Sequence, residues 1–444
     1  MELTDLSTIL KENGIVGAGG AGFPSYAKLS PKAEVVLLNC AECEPLLELH
    51  KQLLQQCTTD VLDAFELVRE TVGAKEGKIC IKAHYESTIA AIEGVLPNYP
   101  HLSICKLDSI YPAGDEVVTA YCATGKVVRP GGLPIEIGVI VYNVETMYNA
   151  YHAVKEGKPV TSKLITVSGD VKTPKTVRVP LGVTLQEVVA LAGGPTIENY
   201  TYWVGGPMMG FEQKPTDLVK KNTNSIFIFP KDHYLLRRAH SDVTIEAARA
   251  AASCCQCQMC TDLCPRHNLG HPIQPHLIMR ATACGHINNP TDFTNAFYCC
   301  ACGVCENYAC PQGLSPRKII QKVKAGLRAA GVKPSPDVTA APVNPMRDLR
   351  QVPIDRLIAR LGVTEYELAA PLDNEEVTGF KTVRVLLSQH IGAPAKAVVA
   401  AGDTVKKGQA IAEAAQGLSV NIHASIDGLV TEVTDRYIEI KAKA

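Results

Sequence analysis

The first 160 residues alternate short apolar runs with stretches in which apolar positions recur every three or four residues. The runs 35–38 and 138–141 are typical of buried strands. The spacing over 44–72 predicts a helix that ends at Gly73. Such alternation of strands and helices favours an α/β domain over residues 1–160.

The pattern changes after residue 160. Apolar alternation at 164–167, 176–179 and 225–229 predicts strands, and 184–192 predicts a short helix. We therefore interpret residues 161–235 as a compact β-grasp-like module.

Three further regions complete the predicted organisation. Helical sequence opens and closes a cysteine-rich region at 236–333. Prolines mark 334–380 as a linker with one amphipathic helix near 354–362. Strand patterns separated by glycine turns predict a small all-β unit at 381–444. The chain is thus predicted to be a multidomain α/β protein.

Composition narrows the class of protein. The 444 residues suggest about three domains at roughly 150 residues each. With 44 basic and 45 acidic side chains, the chain lacks the basic excess of a nucleic-acid-binding protein. No apolar stretch approaches the ~20 residues of a membrane span, and no basic, then apolar, amino-terminal signal is present. We expect a soluble cytoplasmic protein, so the 17 cysteines point to metal or redox chemistry rather than disulfides.

Eleven of the 17 cysteines lie between residues 254 and 310, in two similar arms. Each arm has three cysteines separated by two residues and a distal cysteine before proline. The first arm matches the run of bacterial two-cluster ferredoxins, and the second has one extra residue before its distal cysteine. In that arrangement the distal cysteine of one arm serves the other cluster. We predict one [4Fe–4S] cluster on Cys254, Cys257, Cys260 and Cys310, and another on Cys264, Cys299, Cys302 and Cys305.

The alternative is a pair of zinc knuckles, since paired cysteines also suit tetrahedral zinc. Zinc gives no reason for a third evenly spaced cysteine or for the Cys-Pro ending. Cys255 and Cys300 stand too close to their neighbours to replace them and are interpreted as packing residues beside the clusters. The nearby histidines His267, His271, His276 and His286 are interpreted as ordinary surface residues.

Residues 17–22 contain the pattern G-x-G-x-x-G. The common dinucleotide fingerprint needs a strand before this pattern and a helix after it. Here helical spacing precedes the loop and Pro24 follows it, so that interpretation fails. Consecutive glycines still let backbone amides approach a phosphate or a flat ring closely.

The glycine loop and two later segments carry a resemblance to a known family. Three segments resemble, in the same order, segments of the complex I 51-kDa subunit and of Rnf C subunits. They are Gly-x-Gly-Gly-Ala-Gly-Phe-Pro with Lys28 beyond it, Asn-x-x-Glu-x-Glu-Pro from Asn39, and Asn-Val-Glu-Thr from Asn143. The resemblance implies a Rossmann-like domain for FMN and NADH, a soluble-ligand-binding β-grasp (SLBB) domain and an α-helical two-cluster domain. It implies that FMN is lined by Gly17, Gly19, Gly20, Gly22, Lys28, Asn39, Gly114, Asp115, Asn143 and Thr146. Phe23, Glu44 and Glu116 would face NADH.

The carboxyl-terminal unit resembles a barrel-sandwich hybrid domain, which Rnf C subunits usually carry at the amino terminus. Its position after the clusters is similar to the cobalamin reductases of propanediol-utilisation microcompartments. The hairpin tip 415–419 has no lysine, so a biotin- or lipoate-like swinging arm is disfavoured and a docking or structural role is expected. This resemblance implies NADH-driven reduction of cob(III)alamin to cob(II)alamin, and onward to cob(I)alamin, inside a microcompartment. An adenosyltransferase and a shell protein are the implied partners.

Two other functions stay open at this point. One is an electron-entry subunit of an Rnf-type ferredoxin:NAD oxidoreductase, and the other is a non-catalytic relay docked to a shell protein. The stretch 3–10 is interpreted as a helix packed on its own domain, with an encapsulation peptide as the alternative. For the glycine loop we predict that Gly20→Val abolishes flavin retention.

Overall fold

The amino-terminal domain is built on a parallel sheet. A computed structural model describes residues 1–285 and 289–443. Four parallel strands take the order β3-β2-β1-β5, so the strand order reverses between β1 and β5. The domain's elements are α1 (Leu3–Glu12), β1 (Val35–Cys40), α2 (His50–Gln56), α3 (Thr58–Val72), β2 (Glu76–Lys82), α4 (Glu86–Val95), β3 (Leu102–Leu107), β4 (Ile110–Tyr111), α5 (Glu116–Thr124), β5 (Val139–Asn143) and α6 (Val144–Glu156).

The single helix predicted over 44–72 is wrong at its start. A loop occupies the first residues, α2 begins at His50, and α3 follows after a break at Cys57. Leu46 has φ +66°, in the left-handed region, so the chain is not α-helical at this position. The predicted end is confirmed, because Gly73 caps α3 in the left-handed conformation with φ +74°.

The second domain is a mixed sheet with one covering helix. Its strands take the order β12-β7-β6-β10-β8-β9, with β10 parallel to β6 at the centre. The elements are β6 (Ser162–Gly169), β7 (Lys175–Pro180), α7 (Leu185–Leu191), β8 (Tyr200–Val204), β9 (Phe211–Gln213) and β10 (Ser225–Pro230), joined by β12 (Leu372–Glu376) from much later in the chain.

The cysteine-rich region is helical. Ala250, Met279 and Ile319 bring three of its helices together in a small buried core. A short π-helical turn at Cys305–Ala309 lies in the second cysteine arm. The helices are α8 (Tyr234–His240), α9 (Val243–Ser253), α10 (Met259–Asp262), α11 (Pro265–Asn268), α12 (Pro275–Cys284), α13 (Thr291–Thr294) and α14 (Pro316–Ala329).

The proline-rich segment pairs with strands of both earlier domains before it reaches the last domain. β11 (Val352–Pro353) pairs with β4, α15 spans Ile354–Leu361, and β12 pairs with β7. The last domain packs a four-stranded sheet, β13-β19-β18-β15, against a three-stranded one, β14-β16-β17. Its strands are β13 (Thr382–Leu386), β14 (Lys396–Ala397), β15 (Thr404–Val405), β16 (Ala410–Glu413), β17 (Ile422–His423), β18 (Gly428–Val433) and β19 (Tyr437–Ala442).

Helix α1 packs on its own domain, since Leu6 and Leu10 are fully buried. Within residues 1–285 and 289–443, no helix combines the length and the apolar character needed to cross a bilayer.

Candidate functional site

A cleft of about 690 Å³ opens at the carboxyl ends of β1 and β5. This is where the strand order reverses, the usual ligand position in open α/β sheets. The volume lies within the range typical of small-molecule sites. Eleven of the predicted site residues line the cleft: Gly17, Gly19, Gly20, Gly22, Phe23, Lys28, Asn39, Gly114, Glu116, Asn143 and Thr146.

The glycines of the loop meet different surroundings. A Cβ on Gly19 would lie 2.5 Å from Asn143 Nδ2, whereas a Cβ on Gly20 meets no protein atom within 4 Å. The Ala18 N–H donates to Thr146 Oγ1 at 3.0 Å, which ties the loop to α6. The loop is therefore closely packed at Gly19 and open at Gly20.

Two helices begin at the cleft. The Asp115 carboxylate caps α5, and the Asn143 side chain caps α6 by accepting the Glu145 N–H at 2.9 Å. The positive ends of helix dipoles favour an anion. Lys28 adds a cation beside them, with Nζ 2.7 Å from Glu116 Oε1 and 2.9 Å from the Val141 carbonyl oxygen. The glycines that line the cleft leave room for a flat ring, and the two helix N-termini suit its phosphate. FMN has both groups.

A buried polar network lies behind Asn143, and the sequence analysis missed it. Asn143 Nδ2 lies 3.2 Å from His50 Nδ1, and His50 Nε2 lies 3.7 Å from Glu145 Oε2. Glu145 pairs with buried Lys163 of β6. Burial opposes ionisation of Glu145, but Lys163 and His50 lower its pKa to about 2. The network thus fixes a cleft residue to the second domain.

Two predicted residues lie beside the cleft rather than in its wall. The Glu44 carboxylate accepts the Met208 N–H at 2.9 Å and lies 3.3 Å from the Tyr111 hydroxyl. Burial raises the pKa of Glu44 to about 7. The Asp115 carboxylate, besides capping α5, lies 2.8 Å from Arg266 Nη2. Both residues connect the first domain to later ones.

The cleft also has an apolar side that the sequence analysis missed. Leu133, Pro134 and Ile135 line it, and Leu133 is 62% exposed. Leu133 and Phe23 both line the cleft and provide apolar surface for a planar ligand. The only sequence signal for Leu133 is a short apolar run after two glycines.

The first cysteine set surrounds a small cavity between helices. Cys254, Cys257, Cys260 and Cys310 all line it. Burial and the three neighbouring thiols raise the pKa of Cys260 to about 12. Coordination to iron would supply the positive charge that lets such thiols ionise. The arrangement therefore suits a polynuclear cluster.

The second cysteine set lies against the first domain. Burial, with Cys299 and Cys264 among the nearby thiols, raises the pKa of Cys305 well above its usual range. A hydrogen bond with Cys300, together with burial, raises the pKa of Cys302 in the same way. The Tyr111 hydroxyl lies 2.7 Å from the Cys302 carbonyl oxygen. This set is thus next to the cleft domain.

Other residues near the arms have structural contacts. Cys255 is exposed, while Cys300 contacts Cys302 and Arg266. The prediction that these histidines lie on the surface is wrong for two of them, which are buried. His271 bonds to the Val128 carbonyl oxygen, and His276 bonds to Thr261 Oγ1. His267 Nδ1 lies 3.1 Å from the Ile273 carbonyl oxygen, and His286 lies outside the described residues. No three His, Cys, Asp or Glu side chains in the described ranges lie close enough to hold a single metal ion.

Four family models match successive parts of the chain. They are the Nuo51 FMN-binding domain at 10–152, the SLBB domain at 164–212, the 4Fe-4S dicluster domain at 253–315 and the RnfC barrel sandwich hybrid domain at 367–444. The predicted fold class is confirmed, and so are FMN and [4Fe–4S] clusters as its cofactors. The zinc alternative is not supported.

Two relatives match nearly the whole chain. Cobalamin reductase PduS of Salmonella typhimurium is 42% identical over 96% of this chain and 94% of its own, and PduS of Citrobacter freundii is 40% identical over 99% and 97%. A component of the Na(+)-translocating ferredoxin:NAD(+) oxidoreductase complex of Acetobacterium woodii is 32% identical over 60% of this chain and 59% of its own. A solved NAD+-reducing [NiFe]-hydrogenase aligns with a TM-score of 0.48 at 21% identity, over 76% of this chain and 64% of its own.

Proposed function

The chain belongs to the PduS family of cobalamin reductases, and we propose that it transfers electrons from NADH to cobalamin through FMN and two [4Fe–4S] clusters. FMN accepts the electron pair of a hydride and releases it one electron at a time, which clusters require. The observation that carries the proposal is the contact between the cleft domain and the second cysteine set. It supports an electron route from the cleft into the protein.

Two contacts make up that junction. Arg266 follows Cys264 by two residues, and its guanidinium pairs with Asp115 at the start of α5. Tyr111 bridges Glu44 and the Cys302 backbone. Because both contacts are buried or half-buried, they hold the second cysteine set at a fixed distance from the cleft.

The cleft residues suit separate tasks. The glycine loop and the starts of α5 and α6 would hold the flavin and its phosphate. Phe23 would stack on the nicotinamide, and Lys28 would place a positive charge near the flavin. Glu116 pairs with Lys28 and would orient it. Glu44 and Asp115 would help to hold the second cysteine set beside the cleft, through Tyr111 and Arg266.

The first cysteine set would deliver electrons to the acceptor. Its cavity is lined by residues of the cysteine-rich region, and Cys257 is exposed. One electron converts cob(III)alamin to cob(II)alamin, so one NADH serves two such reductions. A second electron would give cob(I)alamin, the form that an adenosyltransferase consumes. Docking to a shell protein would place the chain inside a microcompartment.

An anaerobic assay with NADH and cob(III)alamin tests the proposal. Adding NADH alone should bleach both flavin and cluster absorbance, and adding cob(III)alamin should restore it while cob(II)alamin appears. Reduction of ferredoxin in a parallel reaction, with cobalamin left oxidised, would favour the Rnf-type alternative. No bleaching by NADH would contradict the proposal and favour a non-catalytic relay.

The share of this chain that each relative matches distinguishes a cobalamin reductase from an Rnf-type electron-entry subunit. The PduS relatives match this chain over nearly its full length, including the carboxyl-terminal barrel. The Acetobacterium woodii protein matches 60% of it. The match over nearly the full length therefore favours cobalamin as the acceptor.

A further inference from the structure

The carboxyl-terminal barrel packs directly against the glycine loop. The Ile391 N–H donates to the Gly22 carbonyl oxygen at 3.3 Å. Gly22 has φ +74°, and a Cβ there would come within 3.1 Å of the Gln389 carbonyl oxygen and 3.2 Å of His390 Cα. A Cβ at Gly22 would therefore be strained by the backbone conformation and crowded by the barrel.

A second contact involves the hairpin tip 415–419. The Tyr26 hydroxyl donates to the Gly417 carbonyl oxygen at 3.3 Å and accepts the Ser419 N–H at 3.4 Å. Ser419 is fully buried, and its hydroxyl donates to the Ala393 carbonyl oxygen at 2.9 Å. The tip that carries a swinging arm in other barrels here contacts Tyr26 of the short helical turn Ser25–Lys28, which ends at Lys28.

A third contact passes through the second domain. Lys221 is 2% exposed, and its Nζ donates to the Gly14 carbonyl oxygen at 2.7 Å and to the Asn421 carbonyl oxygen at 3.3 Å. Its backbone N–H donates to Gln389 Oε1 at 3.1 Å. The next residue, Asn222, donates to the Gly20 carbonyl oxygen at 3.3 Å. Lys221 thus joins the stem of the loop to the barrel.

We infer that the barrel and Lys221 form a clamp that holds the glycine loop in its flavin-binding shape. Glycine-rich backbone loses much conformational freedom when it is ordered, and a ligand that must order it binds less tightly. The clamp orders the loop in advance. Lys221, Gln389 and Tyr26 are accordingly positioning residues, and the inference rests on the proposed FMN site.

The test compares variants of the full-length protein. Tyr26→Phe removes only a hydroxyl, and Gln389→Ala removes the acceptor for Lys221. Gln389→Ala loses a buried hydrogen bond and should weaken FMN binding to the flavin-free protein by about tenfold, whereas Tyr26→Phe loses long, partly exposed bonds and should weaken it by about threefold. Hydrogen exchange of the backbone amides at 17–23 should accelerate, while iron content stays at the wild-type level.

Ser425→Ala is the matched control. Its hydroxyl donates to the Leu181 carbonyl oxygen at 2.6 Å, a barrel contact with the second domain. This variant should leave FMN affinity and loop exchange unchanged. Wild-type affinity and exchange in both clamp variants would overturn the inference, and so would an equal effect in the control.

Failure of the clamp and failure of the proposed function give different results. If wild-type protein binds FMN but does not reduce cobalamin, the affinity comparison still stands. If wild-type protein binds no FMN, the proposed function fails, and exchange at 17–23 in the variants still decides the clamp. If Gln389→Ala loses iron as well, Tyr26→Phe alone gives the answer.

Discussion

Gly19→Ala should disrupt the flavin cleft through Asn143. The new Cβ would stand 2.5 Å from Asn143 Nδ2, about 1 Å closer than a van der Waals contact allows. Asn143 cannot yield freely, because its Oδ1 caps α6 and its Nδ2 bonds His50. Losing the cap costs about 1 kcal/mol, and losing the buried hydrogen bond costs about 1 kcal/mol more. A total of about 2 kcal/mol corresponds to roughly 30-fold weaker FMN binding.

Fluorescence titration of flavin-free protein with FMN measures the effect. Gly94→Ala in α4 is the control, because a Cβ there meets no protein atom within 4 Å and the position lies outside the cleft, so FMN affinity should be unchanged. The double change Gly19→Ala with Asn143→Ser keeps a capping oxygen and removes the clash, so it should recover part of the affinity. Wild-type FMN affinity in Gly19→Ala would refute the reasoning, since the loop would then not be packed against Asn143.

Three further predictions concern charge and iron. Burial lowers the pKa of Lys221 to about 7 from 10.5, so the unfolded chain binds the proton more tightly than the folded protein. The free energy of unfolding should therefore rise by about 2 kcal/mol between pH 7 and 9 because of this residue. In urea unfolding, Lys221→Met should lose that rise, and an equal rise in both proteins would contradict the prediction. Arg266→Gln breaks the pair with Asp115 and should slow cluster reduction after NADH in stopped-flow spectra while flavin reduction keeps its rate; unchanged cluster kinetics would argue against this junction. Cys257→Ser should lose the iron of one cluster, whereas Cys255→Ser, its exposed neighbour, should keep all of it; equal losses would exclude the ligand assignment.

The sequence predicts what short-range spacing determines. Cys254, Cys257 and Cys260 follow one another at intervals of three residues, so their thiols stay close in space. They could therefore be assigned to one cavity from the sequence alone. The runs that became β1 and β5 were recognisable because strands of a parallel sheet are buried on both faces. Asn39 and Asn143 follow from these strands, since residues at the carboxyl ends of neighbouring strands meet.

Contacts between distant segments could not be predicted in this way. His50 reaches Asn143 only because α2 packs beside α6, and Lys163 reaches Glu145 from another domain. Nothing in the local pattern around His50 distinguishes it from a surface histidine. The contact of Tyr26 with Gly417 spans 391 positions and depends on how four domains assemble.

The route of the chain after the clusters explains how a carboxyl-terminal barrel reaches an amino-terminal loop. β11 pairs with β4 of the first domain, and β12 then extends the second sheet beside β7. These pairings lead the chain from the cysteine-rich region, past the first domain, to the second domain, where the Arg384 N–H of β13 donates to the Gly182 carbonyl oxygen. The barrel then meets the loop mainly through backbone groups, such as the Ile391 N–H and the Gly417 carbonyl oxygen. Such contacts depend on where the barrel lies and not on which end of the chain carries it.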